Sequence, residues 1–211
     1  MGESEIVGTP AGDARITWRP ASGRARAVLA LGHGAGGGVD APDLRALAAA
    51  LPPAGVTVAL VEQPWRVAGK RIAPAPKTLD TAWRGLWPAL QERGLPIVAG
   101  GRSAGARVAC RTARELGAGA VLALSFPLHP PGRPEKSRAE ELLGAGVPVL
   151  VVQGGSDPFG RPEEFPDGAY ELIAVDAADH GLAVPKRAAL TRQEALGVVV
   201  AGVRTWITAL V

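Results

Sequence analysis

The stretch that most restricts this chain is residues 97–107, IVAGGRSAGAR. An apolar run, Ile97-Val98-Ala99, passes through two glycines into Arg102-Ser103-Ala104-Gly105, and a helical pattern follows at once through Val108, Ala109, Cys110 and Leu116. That reads as strand, sharp turn, helix. Gly101 to Gly105 fits G-x-S-x-G, the nucleophile elbow. The spacing has a steric cause: a serine at the tip of so tight a turn sits in a rarely populated backbone conformation. The residues two before and two after it come close enough that only glycine or another very small side chain fits. A plain glycine-rich loop is the alternative for the five residues alone; the strand before and the helix after favour the elbow.

The rest of the chain repeats the alternation. Ala27–Leu31, Val56–Val61, Gly119–Leu124, Val147–Gln153 and Tyr170–Val175 are short apolar runs of the kind expected for strands buried on both faces. Between them lie helical patterns from Asp40 or Pro42 to Leu51, from Leu79 to Glu92, from Arg138 to Leu143 and from about Arg187 to Leu210, the last open to interruption near Gly197 or Gly202. Asp40 is a candidate cap, and Pro42 suits a first turn. Residues 15–18 alternate as an edge strand would, and residues 63–77 read as a long Pro-rich loop. Strands alternating with helices imply a mostly parallel central sheet with helices on both faces, and 211 residues suit one domain, 1–211.

The loop Gly32-His33-Gly34-Ala35-Gly36-Gly37-Gly38 has two functional readings. Gly32-x-Gly34-x-x-Gly37 satisfies the dinucleotide fingerprint after a strand, with Glu62 near the place of a ribose-binding acid. Against it, the helix starts several residues beyond Gly37. The second reading takes His33-Gly34-Ala35-Gly36 as an H-G-x-x loop whose backbone N–H helps hold a developing oxyanion. Ser103 needs such a partner, so the second is preferred; a purely structural loop is the third.

A serine hydroxyl is a poor nucleophile at neutral pH and needs a base, which in turn needs a group to orient it. Of three histidines, His33 and His129 follow early and middle strands, whereas His180 follows the last strand and lies downstream of a candidate acid. Asp157, in the turn after its own strand, is preferred as that acid over Asp176 and over Asp179, which adjoins His180. Ser103, Asp157 and His180 each fall just past a different strand, so one sheet edge gathers all three. Trp65 and His129 are candidates for substrate binding at the pocket rim, against the plainer roles of a packed tryptophan and a histidine bracing a Pro-rich loop.

These motifs resemble the α/β-hydrolase superfamily, in which the order Ser, Asp/Glu, His recurs. Leu-Gly-His-Gly-Ala-Gly-Gly at 31–37, Gly-Arg-Ser-Ala-Gly at 101–105, Asp-Pro-Phe-Gly at 157–160 and Asp-His-Gly at 179–181 carry the likeness. Ser-Phe-Pro-Leu-His-Pro-Pro-Gly at 125–132 and Glu62-Gln63-Pro64-Trp65 point to a small capless branch, close to dienelactone hydrolase and shared with the hydrolase-like subunit of the nonspecific-lethal chromatin complex. The resemblance covers residues 25–211. It implies an α/β-hydrolase fold without a cap domain and a serine hydrolase acting on an ester or related acyl bond. Ser103 is then the nucleophile, His180 the base, Asp157 its acid, and the N–H groups of Ala35 and Ala104 the oxyanion hole. Dienelactone hydrolases use cysteine where Ser103 stands, so their substrate does not carry over. Because the branch includes a subunit of a larger assembly, a hydrolase-like scaffold is the alternative.

Composition narrows the class further. With 47% apolar and 20% charged residues the chain is globular. A net charge of +3 from scattered basic residues gives no nucleic-acid footprint, and no apolar run approaches the ~20 residues that span a bilayer. The acidic start, Met1-Gly2-Glu3-Ser4-Glu5, is unlike a signal peptide, and Ile6 stands where a myristoylation signal needs Ser or Thr. The lone Cys110 excludes an internal disulfide and reads as a small core residue. The expectation is a cytoplasmic protein with a small-molecule acyl substrate and no metal or organic cofactor.

Overall fold

The computed structural model describes residues 3–211; Met1 and Gly2, the start of the segment read as lacking a leader, lie outside the described residues. Eight strands form one sheet: β1 (Ser4–Thr9), β2 (Gly12–Arg19), β3 (Ala27–Gly32), β4 (Val56–Glu62), β5 (Ile97–Arg102), β6 (Ala120–Leu124), β7 (Val149–Gly154) and β8 (Glu171–Val175), in the order β1-β2-β4-β3-β5-β6-β7-β8. The β1–β2 and β2–β4 pairs are antiparallel and all others parallel. The α-helices among the described residues are α1 (Pro42–Ala50), α2 (Pro64–Val67), α3 (Pro76–Gln91), α4 (Ala104–Leu116), α5 (Ala139–Leu143) and α6 (Arg192–Leu210).

The central strands are apolar throughout because both faces are covered. In β3, Val28 and Ala30 point to a layer shared with Trp83, Leu86, Val108 and Ala109 of α3 and α4, while Leu29 and Leu31 point to one shared with Leu44 and Leu47 of α1 and Val199, Val203 and Ile207 of α6. The period-2 alternation of a strand thus feeds two separate cores. A mostly parallel sheet so sandwiched places the carboxyl ends of its parallel strands on one edge, where loops converge.

Several sequence expectations need correction. Residues 15–18 belong to β2, which is interior; the edge strand at that end of the sheet is β1, with Ser4 opposite Thr17 and Thr9 opposite Gly12. The 63–77 segment is not one loop, since Pro64 starts the short helix α2 and Pro76 starts α3, each supplying the φ that a first turn requires. Asp40 does not cap α1: Ala41 holds the cap position with no side-chain hydrogen bond. Helix α6 runs without interruption through Gly197 and Gly202 and begins only at Arg192. Thr191 and Glu194 form a reciprocal capping box there, each side chain accepting the other's backbone N–H.

Cys110 on α4 is 1% exposed, and burial pushes its thiol up to about 12. Thiol reactivity requires the thiolate. Native protein at mildly alkaline pH is therefore expected to resist alkylation, with one thiol titrating only in denaturant; rapid labelling of the folded chain would contradict this packing.

Candidate active site

The site is built around a contact that admits no side chain. Gly32 at the end of β3 lies opposite Gly101 of β5, and Gly105 of α4 packs over both. A Cβ on either Gly101 or Gly105 would lie 2.6 Å from the Gly32 carbonyl oxygen, inside van der Waals contact. The chain therefore turns from β5 into α4 within a single residue, and Ser103 takes φ 54° and ψ −109°. Such a conformation costs roughly 1–3 kcal/mol in an L-residue and persists only where its surroundings over-determine it. Helix α4 then leaves directly, so the N–H of Ala104 belongs to a first turn whose amides have no acceptor within the helix.

Asp157 and His180 arrive from the loops after β7 and β8. The Nε2 of His180 is 2.9 Å from Ser103 Oγ, and its Nδ1 is 2.7 Å from Asp157 Oδ2. Asp157 is 1% exposed, and its carboxylate is held from two further directions. Gln153 Nε2 donates to Oδ2 at 2.9 Å, and the Phe159 N–H donates to Oδ1 at 2.8 Å. A carboxylate so buried and so supplied with donors keeps its orientation. The Phe159 ring also lies over the imidazole, with centroids 4.2 Å apart and planes inclined by 31°. The rival acids are elsewhere: Asp176 is exposed, and Asp179 braces its own turn by accepting from the N–H groups of Gly181 and Ala183.

Arg102, next to the serine, ties two elements to the site. Its Nη2 donates to the carbonyl of His180 at 2.6 Å, and its Nε lies 3.4 Å from Oδ2 of the fully buried Asp43 on α1. Burial pushes the Asp43 carboxyl up from its usual range, and the Arg102 guanidinium opposes that shift.

The glycine loop after β3 is positioned from beneath by His33. This ring is 3% exposed, its Nδ1–H donates to the Gly34 carbonyl at 2.9 Å, and its Nε2 accepts the Gln63 N–H at 3.1 Å. Accepting at one nitrogen and donating at the other fixes a neutral tautomer, and burial accordingly lowers its pKa below the ordinary histidine value. Helix α1 starts five residues after Gly37, so the third glycine of the dinucleotide fingerprint is not on the helix. Gly34 to Gly37 instead line a cleft of about 520 Å³ together with Ser103, Ala104 and His180. Ala35 and Ala104 thus face the same space.

Two candidate rim residues are not at the rim. Trp65 is 6% exposed and packs under the glycine loop against His33, with ring centroids 5.5 Å apart. It stands within α2, which the sequence reading missed. His129 is likewise buried: its Nε2 pairs with Glu164 at 2.9 Å and its Nδ1 meets the Pro130 carbonyl at 3.0 Å. Its backbone N–H donates to the Phe159 carbonyl, so it braces the loop that carries the ring over His180. Sequence reasoning in turn passed over Gln153, Phe159 and the Arg102–Asp43 pair. A lone glutamine closing an apolar strand was the one usable signal among them.

Fold and site together define an α/β-hydrolase. The sequence matches the alpha/beta hydrolase domain family over residues 25–208, and the chain belongs to that family. Among curated proteins no sequence matches it. Solved structures share the fold. A dienelactone hydrolase from Anabaena variabilis is 20% identical, with 99% of this chain and 97% of that one covered at a TM-score of 0.74. An α/β serine hydrolase without a lid from Xanthomonas campestris is 19% identical over 97% and 94% of the two chains, with a TM-score of 0.70. Est1E from Butyrivibrio proteoclasticus is 14% identical over 100% and 99%, with a TM-score of 0.74.

Two outcomes are expected. Gly105→Ala should destabilise the fold by at least about 2 kcal/mol in urea titration, since only backbone surrounds the added methyl. His33 binds its proton less readily folded than unfolded, so it makes stability fall as pH drops below about 6.5. In His33→Gln the slope of unfolding free energy against pH in that window should shrink, and an unchanged slope would contradict a buried neutral imidazole.

Proposed function

We propose that the chain is a serine hydrolase that cleaves a carboxylic ester or related acyl bond through an acyl-enzyme intermediate. The observation that carries this reading is the His180 imidazole, bridging Ser103 Oγ at 2.9 Å and Asp157 Oδ2 at 2.7 Å. With Nδ1–H donating to Asp157, Nε2 is free to accept the serine proton, the tautomer general-base catalysis needs.

Ser103 Oγ attacks the acyl carbon as its proton passes to His180 Nε2, and the carbonyl π-pair moves onto oxygen. The N–H groups of Ala104 and Ala35 receive that oxyanion, a device worth about 3–4 kcal/mol per donor in comparable sites. Collapse of the tetrahedral species expels the leaving group with the proton from His180. Water then repeats the sequence on the acyl-serine, giving its proton to His180 and releasing the acid with Ser103 restored. Asp157 stays ionised throughout and stabilises the imidazolium, and the face of Phe159 adds a cation–π contribution while that charge exists. The ester reading gains support from the shared fold with structures named as esterases and serine hydrolases.

Labelling with a fluorophosphonate, followed by mass spectrometry of the adduct, tests the assignment: modification at Ser103 is expected, and its absence from folded protein would turn attention to a binding role. Against short-chain aryl esters, Ser103→Ala should lower kcat by about a millionfold and Asp157→Asn by about 10⁴-fold. Turnover that survived Ser103→Ala would overturn the reading.

A further inference from the structure

The Gln63-Pro64-Trp65 stretch takes no direct part in the Ser103 site, yet it floors a second cavity. This pocket, of about 410 Å³, opens between the β1–β2 turn at Gly12 and Asp13, the segment after α2 at Lys70 and Ile72, and Thr78 and Ala82 of α3. It shares no lining residue with the cleft beside Ser103. Its size falls within the range of small-molecule sites. The one carboxylate and the one ammonium on its wall, Asp13 and Lys70, cancel, so the lining carries no net charge. Much of the rest is apolar, from Pro64, Val67, Ala68 and Pro74, and Ile72 stands 85% exposed beside them.

Two polar groups at the floor have no partner among the described residues. Gln63 gives its Nε2 to the Leu79 carbonyl at 3.4 Å while its Oε1 accepts nothing, and the indole N–H of Trp65 has no acceptor. These residues are only 4% and 6% exposed, and an unpaired polar group at such depth is costly. Both also border a void of about 10 Å³, shared with His33, Gly34 and Ala35 of the glycine loop. That is about the space one water-sized oxygen fills. A hydroxyl there accepts from Trp65 Nε1–H and donates to Gln63 Oε1, answering both, whereas a carbonyl or an ether oxygen only accepts and an ammonium only donates.

We infer that this pocket is a second ligand site, for a neutral molecule with an apolar body and one hydroxyl group; the hydroxyl enters the void bordered by Gln63 and Trp65, and the body fills the outer pocket. The inference does not rest on hydrolysis at Ser103. It places the ligand behind the glycine loop. The Gln63 N–H donates to His33 Nε2, the Trp65 ring packs on the same imidazole, and His33 Nδ1–H holds the Gly34 carbonyl. A ligand that pairs Gln63 and Trp65 therefore favours the arrangement in which they support His33, and its presence reaches the loop through that one ring.

The probe is benzyl alcohol, with benzyl methyl ether as its control: the ether keeps the ring and the acceptor oxygen but has no hydrogen to give Gln63, and its added methyl exceeds the void. The readout is the N–H resonance of the Trp65 indole in a nitrogen–proton correlation spectrum, identified among five tryptophans by its loss in Trp65→Phe. Titration of the unaltered protein should move this resonance saturably, with half-saturation at about 1 mM for so small a ligand. The His33 ring signals should move with it while those of His180 stay still. The ether should bind at least about tenfold more weakly, and Gln63→Leu should remove that discrimination. Ala68→Phe, at an exposed position on the pocket wall, should block both ligands without altering the floor, which covers the case that Gln63→Leu does not fold. A Trp65 resonance that does not move, equal affinity for alcohol and ether, a response that persists in Ala68→Phe, or shifts confined to His180 would each overturn the inference. None of these outcomes depends on labelling or turnover at Ser103, so they are separate from the fate of the hydrolase reading.

Discussion

The structure depends on a place where three stretches of backbone meet with nothing between them. Gly32, Gly101 and Gly105 let β3, β5 and α4 touch so closely that a single methyl group on either of the last two would collide with a carbonyl oxygen. That closeness leaves one residue in which to reverse from strand to helix, and the residue is Ser103. The positive φ of the serine is thus a consequence of packing, and the presentation of the serine to the cleft is a consequence of that φ. Everything else in the site is delivered to where this turn points.

Charge is distributed around the turn by burial as much as by pairing. His33, beneath the glycine loop, is kept neutral by depth and by accepting an N–H; Asp157 is kept oriented by three donors; Asp43, fully buried, faces the Arg102 guanidinium. The contacts made by His33, Asp157 and the Arg102–Asp43 pair join different elements, so they also help fix how α1, the glycine loop and the β7 and β8 loops sit against one another.

What could be read from the sequence was whatever has a local cause. The elbow was legible because its steric demand falls on residues two apart from one serine, and the buried strands because being covered on both faces leaves an unbroken apolar run. Asp157 and His180 followed from strand order, since parallel strands end on one edge. The misses share a different character. β1 alternates weakly and is half exposed, so its pairing with β2 fixes it more than its own composition does. Trp65 lies in a segment whose prolines read as loop but which Pro64 turns into a helical turn, burying the ring. Gln153, Phe159 and the Arg102–Asp43 pair work through neighbours far away in sequence, and no spacing rule reports a contact of that kind.

The order of the sheet carries one more consequence. Ser103 hangs from β5 near the centre, but His180 hangs from β8, an edge strand of five residues hydrogen-bonded on one side only. Edge elements open at lower free-energy cost than the interior, in local excursions that leave the rest of the fold intact. The serine and its imidazole therefore belong to regions of unequal durability. Warming the protein is expected to part them before the sheet itself dissolves, so that the Ser103–His180 hydrogen bond is lost while most of the molecule is still folded.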